Sequence, residues 1–262
     1  MANQHGDFIW YELITSDPDA VQGFYGALLG WTVLKNPQAQ PNSPVDYRTL
    51  LTAFGHAGGV MGINDEMRAN GAKPAWVGYI GVSDVDQSVA SILASGGKVL
   101  LPAFDIPMVG RIAMVSDPQG APFYVMRGAS AGASHAFSAD PTHIGHCAWN
   151  ELATADQTAA LAFYQQHFGW ALDGGMDMGP MGTYQFIRQP TGIFGAIMRK
   201  PPEMPVSFWN YYFRVAGMDA AIAAIQSGGG KLLHGPFEVP GGEFALMAMD
   251  PQGASFGLVG PR

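Results

Sequence analysis

The sequence predicts an α+β fold made of two tandem copies of one domain, each copy holding two strand–helix–strand modules, four modules in all. Three observations predict it. The segment from Trp10 to Trp31, WYELITSDPDAVQGFYGALLGW, recurs from Trp149 to Trp170 as WNELATADQTAALAFYQQHFGW. The segment from Trp76 to Met126 recurs from Trp209 to Val259 without a gap, with 19 of 51 positions identical. Unrelated segments of ordinary composition agree at roughly 5–7 %, so the chain is duplicated. Third, the repeat period, about 130 residues, is too long for a solenoid and has the size of a small domain.

Each element carries its own signal. Residues 8–15 are rich in aromatic and β-branched side chains and read as a strand. Asp17 stands where a helix N-cap belongs, with Pro18 just inside. Ala20, Phe24 and Leu28 then recur at helical spacing until Gly30 stops them. Residues 156–169 repeat the pattern, with Leu161, Tyr164 and Phe168 on the apolar side. Strands are expected over 47–52 and 59–63, and again over 184–187 and 195–199. A strand over 76–82 and a helix over 86–95, stopped by Gly96-Gly97, follow in the first copy. Strands over 111–116 and 122–127 close it, joined by the turn Asp117-Pro118-Gln119-Gly120. The small, polar stretch before residue 143 reads as a connector. The predicted organisation is therefore domain one over 1–128, a linker over 129–142 and domain two over 143–262.

Composition narrows the function. Hydrophobic residues make up 48 % of the 262, enough for a sizeable core, and no apolar run approaches the ~20 residues that span a bilayer. A formal net charge of −8 with no Lys/Arg cluster argues against nucleic acid, whose binding begins with phosphate neutralisation. Cys147 is the single cysteine, so no intrachain disulfide forms, and the first residues lack the pattern of a signal peptide. A cytoplasmic protein, monomer or homodimer, is expected, with a small-molecule ligand as its partner.

The pattern Asp-(x)6-Phe-Tyr-(x)4-Gly-Trp after a first strand, with Asp-Pro-x-Gly closing a second module, resembles the vicinal oxygen chelate superfamily. Glyoxalases, extradiol dioxygenases and bleomycin-resistance proteins belong to it. The matching residues are Asp17, Phe24, Tyr25, Gly30, Trp31 and Asp117–Gly120, and again Asp156, Phe163, Tyr164, Gly169, Trp170 and Asp250–Gly253. The resemblance is nearest to two-domain glyoxalase-like proteins with Trp-x-Glu/Asp-Leu in the first strand. It implies four βαβββ modules that curl into two bowls, with metal ligands pointing inward from the strands.

Carried over by position, those ligand places fall on Trp10 and Trp149, on Val77 and Asn210, and on Tyr124 and Gly257. The fourth place falls near 60–63 and 196–199, which hold no acid or histidine. Metals need oxygen, nitrogen or sulfur donors. No metal and no cofactor is therefore expected. Strand alternation puts Glu12 beside Trp10 and Glu151 beside Trp149, and it puts Tyr79 and Tyr212 on the faces of Val77 and Asn210. Burial among aromatic rings suits a glutamate to general acid/base work, and a tyrosine hydroxyl suits a developing enolate oxygen. The candidate catalytic residues are Glu12, Glu151, Tyr79 and Tyr212. The candidate substrate-binding residues are Trp10, Tyr124, Trp149 and Asn210. A metal-independent lyase or isomerase on a small carbonyl compound is expected, and the alternative is a sequestering protein of the bleomycin-resistance type.

The remaining candidates are weaker. His143 and His146 share a metal only if their segment turns, because an odd spacing on a strand separates them. His5, His56, His135, His167 and His234 are expected in loops or on a helix, in solvent. Cys147 is expected to be buried and structural. The Met-rich segment 174–182 reads as a long loop, with an apolar lid over the second bowl as the alternative.

Overall fold

The computed structural model describes residues 3–35 and 45–262. The first half contains β1 (Phe8–Thr15), α1 (Ala20–Leu29), β2 (Thr32–Lys35), β3 (Tyr47–Thr52), β4 (Gly55–Gly62) and the short α2 (Asp65–Ala69). It continues with β5 (Ala75–Gly81), α3 (Val85–Ala94), β6 (Lys98–Ile106), β7 (Gly110–Ser116) and β8 (Pro122–Gly128). The second half repeats this as β9 (Cys147–Thr154), α4 (Gln157–Phe168), β10 (Ala171–Asp177), β11 (Thr183–Gln189) and β12 (Gly192–Arg199). It ends with β13 (Phe208–Arg214), α5 (Met218–Ser227), β14 (Lys231–Val239), β15 (Glu243–Met249) and β16 (Ser255–Gly260).

The strands form two eight-stranded sheets of identical order, β2-β3-β4-β1-β5-β8-β7-β6 and β10-β11-β12-β9-β13-β16-β15-β14. The expected α+β fold of four modules is present. The helix α1 starts later than expected, with Asp19 at its N-cap, and the Asp17 side chain two residues ahead accepts from the backbone N–H groups of Asp19 (3.1 Å) and Ala20 (3.2 Å). Asp156 is itself the N-cap of α4, accepting from Ala159 at 3.0 Å. Gly30 and Gly169 end their helices with φ of 70° and 68°, left-handed values that an L side chain resists.

Each module has the three strands after its helix that the βαβββ resemblance implies, one more than the residue pattern alone reveals. β2, β6, β10 and β14 lie at the sheet edges, where exposure removes the alternation that announces a strand. The Met-rich segment is no long loop, because β10 takes residues up to Asp177 and pairs with β11. His56 and His234 sit on strands β4 and β14, not in loops. No helix among the described residues is long and apolar enough to cross a membrane.

The chain forms two compact units, and each draws on both halves of the sequence. Unit 1 comprises residues up to Ile9 with Gly78–Ser134 and Trp149–Asn210, and unit 2 comprises Trp10–Val77, His135–Ala148 and Tyr211–Arg262. In unit 1 the Tyr164 hydroxyl of α4 donates to Asp117 in the turn before β8 (3.2 Å) and accepts from the Trp209 indole (3.0 Å). In unit 2 Tyr25 of α1 does the same with Asp250 (3.0 Å) and Trp76 (3.1 Å). The other carboxylate oxygen of each Asp accepts backbone N–H groups of its own turn, Gln119 and Ala121 in one, Gln252, Gly253 and Ala254 in the other. The family-like Phe-Tyr and Asp-Pro-Gln-Gly motifs are thus two ends of one buried link. Burial pushes both Asp carboxyls above their usual range and the Tyr25 phenol well above its own.

Candidate functional site

In unit 1 the alternation of β9 separates two faces. Asn150, Leu152, Ile187 and Ile197 are fully buried toward the helices, whereas Trp149, Phe186 and Met198 are partly exposed on the opposite face. The register pairs Glu151 with Ala196 and Ala196 with Phe186, so Glu151 stands on that second face. There the Trp149 indole N–H donates to the Tyr184 hydroxyl at 2.8 Å, and that hydroxyl donates to Glu151 Oε2 at 2.7 Å. The result is an indole–phenol–carboxylate chain whose acid is 9 % exposed. A phenol donating at this distance fixes the carboxylate's orientation.

Asn210 joins the same face. Its neighbour Trp209 turns its indole to Tyr164 of α4, so the next side chain on β13 points away from the helices. β13 lies beside β9 in the strand order. Unit 1 thereby brings together three residues the sequence singled out, Trp149, Glu151 and Asn210. It adds Tyr184, which the sequence reading left out. Tyr47 is the first residue of β3 and its counterpart Tyr184 the second of the equivalent β11, and that recurrence was the available signal.

In unit 2 the Trp10 indole donates to the Tyr47 hydroxyl at 3.0 Å. Glu12 is 3 % exposed and pairs across the strands with Gly59. A side chain at Gly59 would run into the Tyr47 phenol, so only glycine leaves room for that ring. Where Asn210 stands in the second copy, the first has buried Val77.

The remaining candidates cover sheet positions. Tyr79 and Tyr124, paired across β5 and β8 in unit 1, stack with centroids 4.2 Å apart and planes inclined by 13°. Tyr212, in unit 2, lies over Gly257, and its ring fills the place a Cβ would occupy. A divalent metal does not fit this donor set. The ligand-equivalent places hold two indoles, a valine, an amide, a stacked phenol and a glycine. Among the described residues no three His, Cys, Asp or Glu side chains gather to hold an ion.

The histidines lie apart from these faces. His143 and His146 do sit in a turn, with ring centroids 5.7 Å apart. Both His146 nitrogens are engaged, Nδ1 with the His135 carbonyl (2.6 Å) and Nε2 with Thr52 Oγ1 (2.7 Å). Burial lowers the pKa of His146, and of His167 as well, so His167 is not the solvated residue expected. His167 instead lines a cleft of about 240 Å³ in unit 1 with His5, Ser83 and Ser91. That cleft has no acid in its wall. Cys147 is buried.

The family model described as the Glyoxalase/Bleomycin resistance protein/Dioxygenase superfamily matches residues 8–125 and 143–258. A relative from Mycobacterium tuberculosis named "Putative glyoxylase CFP32" is 32 % identical over 96 % of this chain and 94 % of its own. The anthracycline biosynthesis protein DnrV of Streptomyces peucetius is 29 % identical over 95 % of this chain and 91 % of its own. Among solved structures, the Mn(II)-bound glyoxalase from Novosphingobium aromaticivorans aligns with a TM-score of 0.64 at 16 % identity, over 98 % of this chain and 82 % of that one. The substrate complex of homoprotocatechuate 2,3-dioxygenase from Brevibacterium fuscum aligns with a TM-score of 0.62 at 15 % identity, over 97 % and 81 %. At these identities the two structures speak for the fold alone.

Proposed function

The chain belongs to the glyoxalase/bleomycin resistance protein/dioxygenase superfamily, and from that premise we propose that it is a metal-independent lyase or isomerase acting on a small carbonyl compound at the Glu151 face. The observation that carries this reading is the hydrogen-bonded chain from Trp149 through Tyr184 to Glu151. It gives a general base a fixed direction on a partly open, aromatic-lined face. Glu151 removes a proton from the carbon next to a carbonyl. The C–H electron pair becomes a C=C bond, and the carbonyl oxygen takes up the displaced pair. Glu151 then returns the proton, to carbon or to oxygen. Tyr184 holds the carboxylate in position, Trp149 offers an apolar platform, and the Asn210 amide N–H donates to the oxygen that gains charge. No step passes through a metal, because the donor set does not suit one.

The cysteine and composition fit a protein of the cytoplasm that handles a small ligand. Glu12 is the base on the corresponding face of the first copy. The competing reading, sequestration without turnover, is favoured by the aromatic lining from Trp149 and Phe186. One comparison separates them. Exchange of α-protons of a small ketone into D2O, followed by NMR, is expected to be protein-catalysed and to fall ~10²–10⁴-fold in the Glu12→Gln/Glu151→Gln double variant, while ligand binding persists. Wild-type protein that binds the ketone without accelerating exchange leaves sequestration as the function.

A further inference from the structure

Asn210 is 2 % exposed, and among the described residues neither its Oδ1 nor its Nδ2 has a hydrogen-bond partner. Folded chains seldom bury an amide this way, because the desolvated donor and acceptor both go unsatisfied. The repeat shows that the fold does not require it. The gapless match puts Val77 at the same strand position of the first copy, equally buried and with nothing to satisfy. An amide kept at a place where valine suffices, on the face that carries Trp149, Tyr184 and Glu151, calls for a ligand that completes it.

We infer that Asn210 is the specificity determinant of this face and that its ligand class is the 1,3-dicarbonyl compounds, an inference that rests on the proton-transfer reading above. A primary amide presents one donor and one acceptor side by side. The enol form of a 1,3-dicarbonyl presents the complement, a C=O that accepts from Nδ2 and an O–H that donates to Oδ1. Asn210 is neutral and Glu151 is an acid, so an anionic carboxylate or phosphate ligand is disfavoured at this face. The chemistry agrees with the recognition. A C–H flanked by two carbonyls is acidic enough for a lone carboxylate to remove, since proton transfer works best between groups of similar pKa. The step is a tautomerisation. Glu151 takes the proton from the carbon between the carbonyls, and the C–H pair forms the C=C bond. One carbonyl oxygen receives the displaced pair and then that same proton from Glu151. Nothing is oxidised or reduced, and no group leaves.

The full chain tests this with 1-phenylbutane-1,3-dione, whose phenyl ring suits Trp149 and whose enol absorbs separately from its ketone. The monoketone 4-phenylbutan-2-one is the control. Wild-type protein is expected to bind the diketone at least ~10-fold more tightly than the monoketone. Asn210→Val, which installs the first copy's residue, is expected to weaken diketone binding ~10–100-fold and to weaken monoketone binding, which loses only the Nδ2 donor, by a smaller factor, so that the preference for the diketone falls. It should melt no lower than wild type, because it removes an unsatisfied polar group. Asn210→Thr, nearly the shape of valine, provides a second folded variant with the same expected loss. Equal affinity of wild type for both ketones overturns the inference, as does full diketone affinity in a folded Asn210 variant. Diketone preference that depends on Asn210, without any catalysed tautomerisation, upholds the recognition and removes only the proton-transfer reading.

Discussion

Tyr164 and Tyr25 each satisfy two buried partners with one hydroxyl, accepting from a Trp and donating to an Asp. Removing that oxygen strands an indole N–H and a carboxylate oxygen together. Tyr164→Phe or Tyr25→Phe is therefore expected to lower stability by ~2–4 kcal/mol, about twice the cost of one unsatisfied buried group, measured as a shift in urea midpoint. His146 offers a pH test at the same scale. Burial lowers its folded-state pKa below 6.5, so the neutral ring favours the fold. That contribution is fully present above 6.5, the unfolded value, and is lost as pH falls toward the folded value. The raised Asp117 and Asp250 act in the opposite sense. Their contribution is present below 3.8 and lost as pH rises through their folded values. Comparing wild type with His146→Gln isolates the histidine: the stability difference between them should shrink as pH drops below about 6.5. A difference that stays constant across that range contradicts the assignment.

At the scale of elements, helix caps and first strands were legible because their chemistry is local. Asp17 and Asp156 accept backbone N–H groups within three residues, and Gly30 and Gly169 take a left-handed turn no neighbour dictates. Gly169→Ala should accordingly destabilise the protein by ~1–2 kcal/mol, while an alanine inside α4 at an exposed position such as Gln165 should change little; equal effects at the two sites would deny the cap its role. The edge strands were hard to read for the converse reason. β6 and β14 expose Leu100, Phe104, Leu233 and Phe237 and contain Pro102 and Pro236, so period-two alternation is absent and proline argues against a strand. The site was half legible. Alternation along one strand places Glu151 beside Trp149, but the phenol that binds Glu151 comes from β11, 33 residues away. Only the matching positions of Tyr47 and Tyr184 pointed to it. Strand parity likewise gives no sign that Tyr79 spends its face stacking on Tyr124, or that Tyr212 covers Gly257.

For the whole molecule, the duplication visible in sequence and the compactness visible in structure divide the chain differently. The two family matches follow the two halves. Each compact unit, by contrast, takes Gly78–Ser134 with Trp149–Asn210, or Trp10–Val77 with Tyr211–Arg262. The buried Tyr–Asp–Trp links run the same way, from a helix of one half to the closing turn of the other. α3 packs with α4 in unit 1, and α1 with α5 in unit 2. A fragment ending after Ser134 therefore carries only part of each unit. It leaves Asp117 without Tyr164 and Tyr25 without Asp250, and it exposes the apolar rings packed around them, such as Phe123 against Phe168. Large apolar surfaces of this kind do not persist uncovered in water. The fragments 1–134 and 135–262, expressed separately, are expected to lack cooperative unfolding and to aggregate. Mixed or co-expressed, they should form a stoichiometric complex that melts cooperatively, and Tyr164→Phe in the second fragment should weaken that complex. Two fragments that each unfold cooperatively as monomers would mean that the sequence halves, not the compact units, are the bodies that fold.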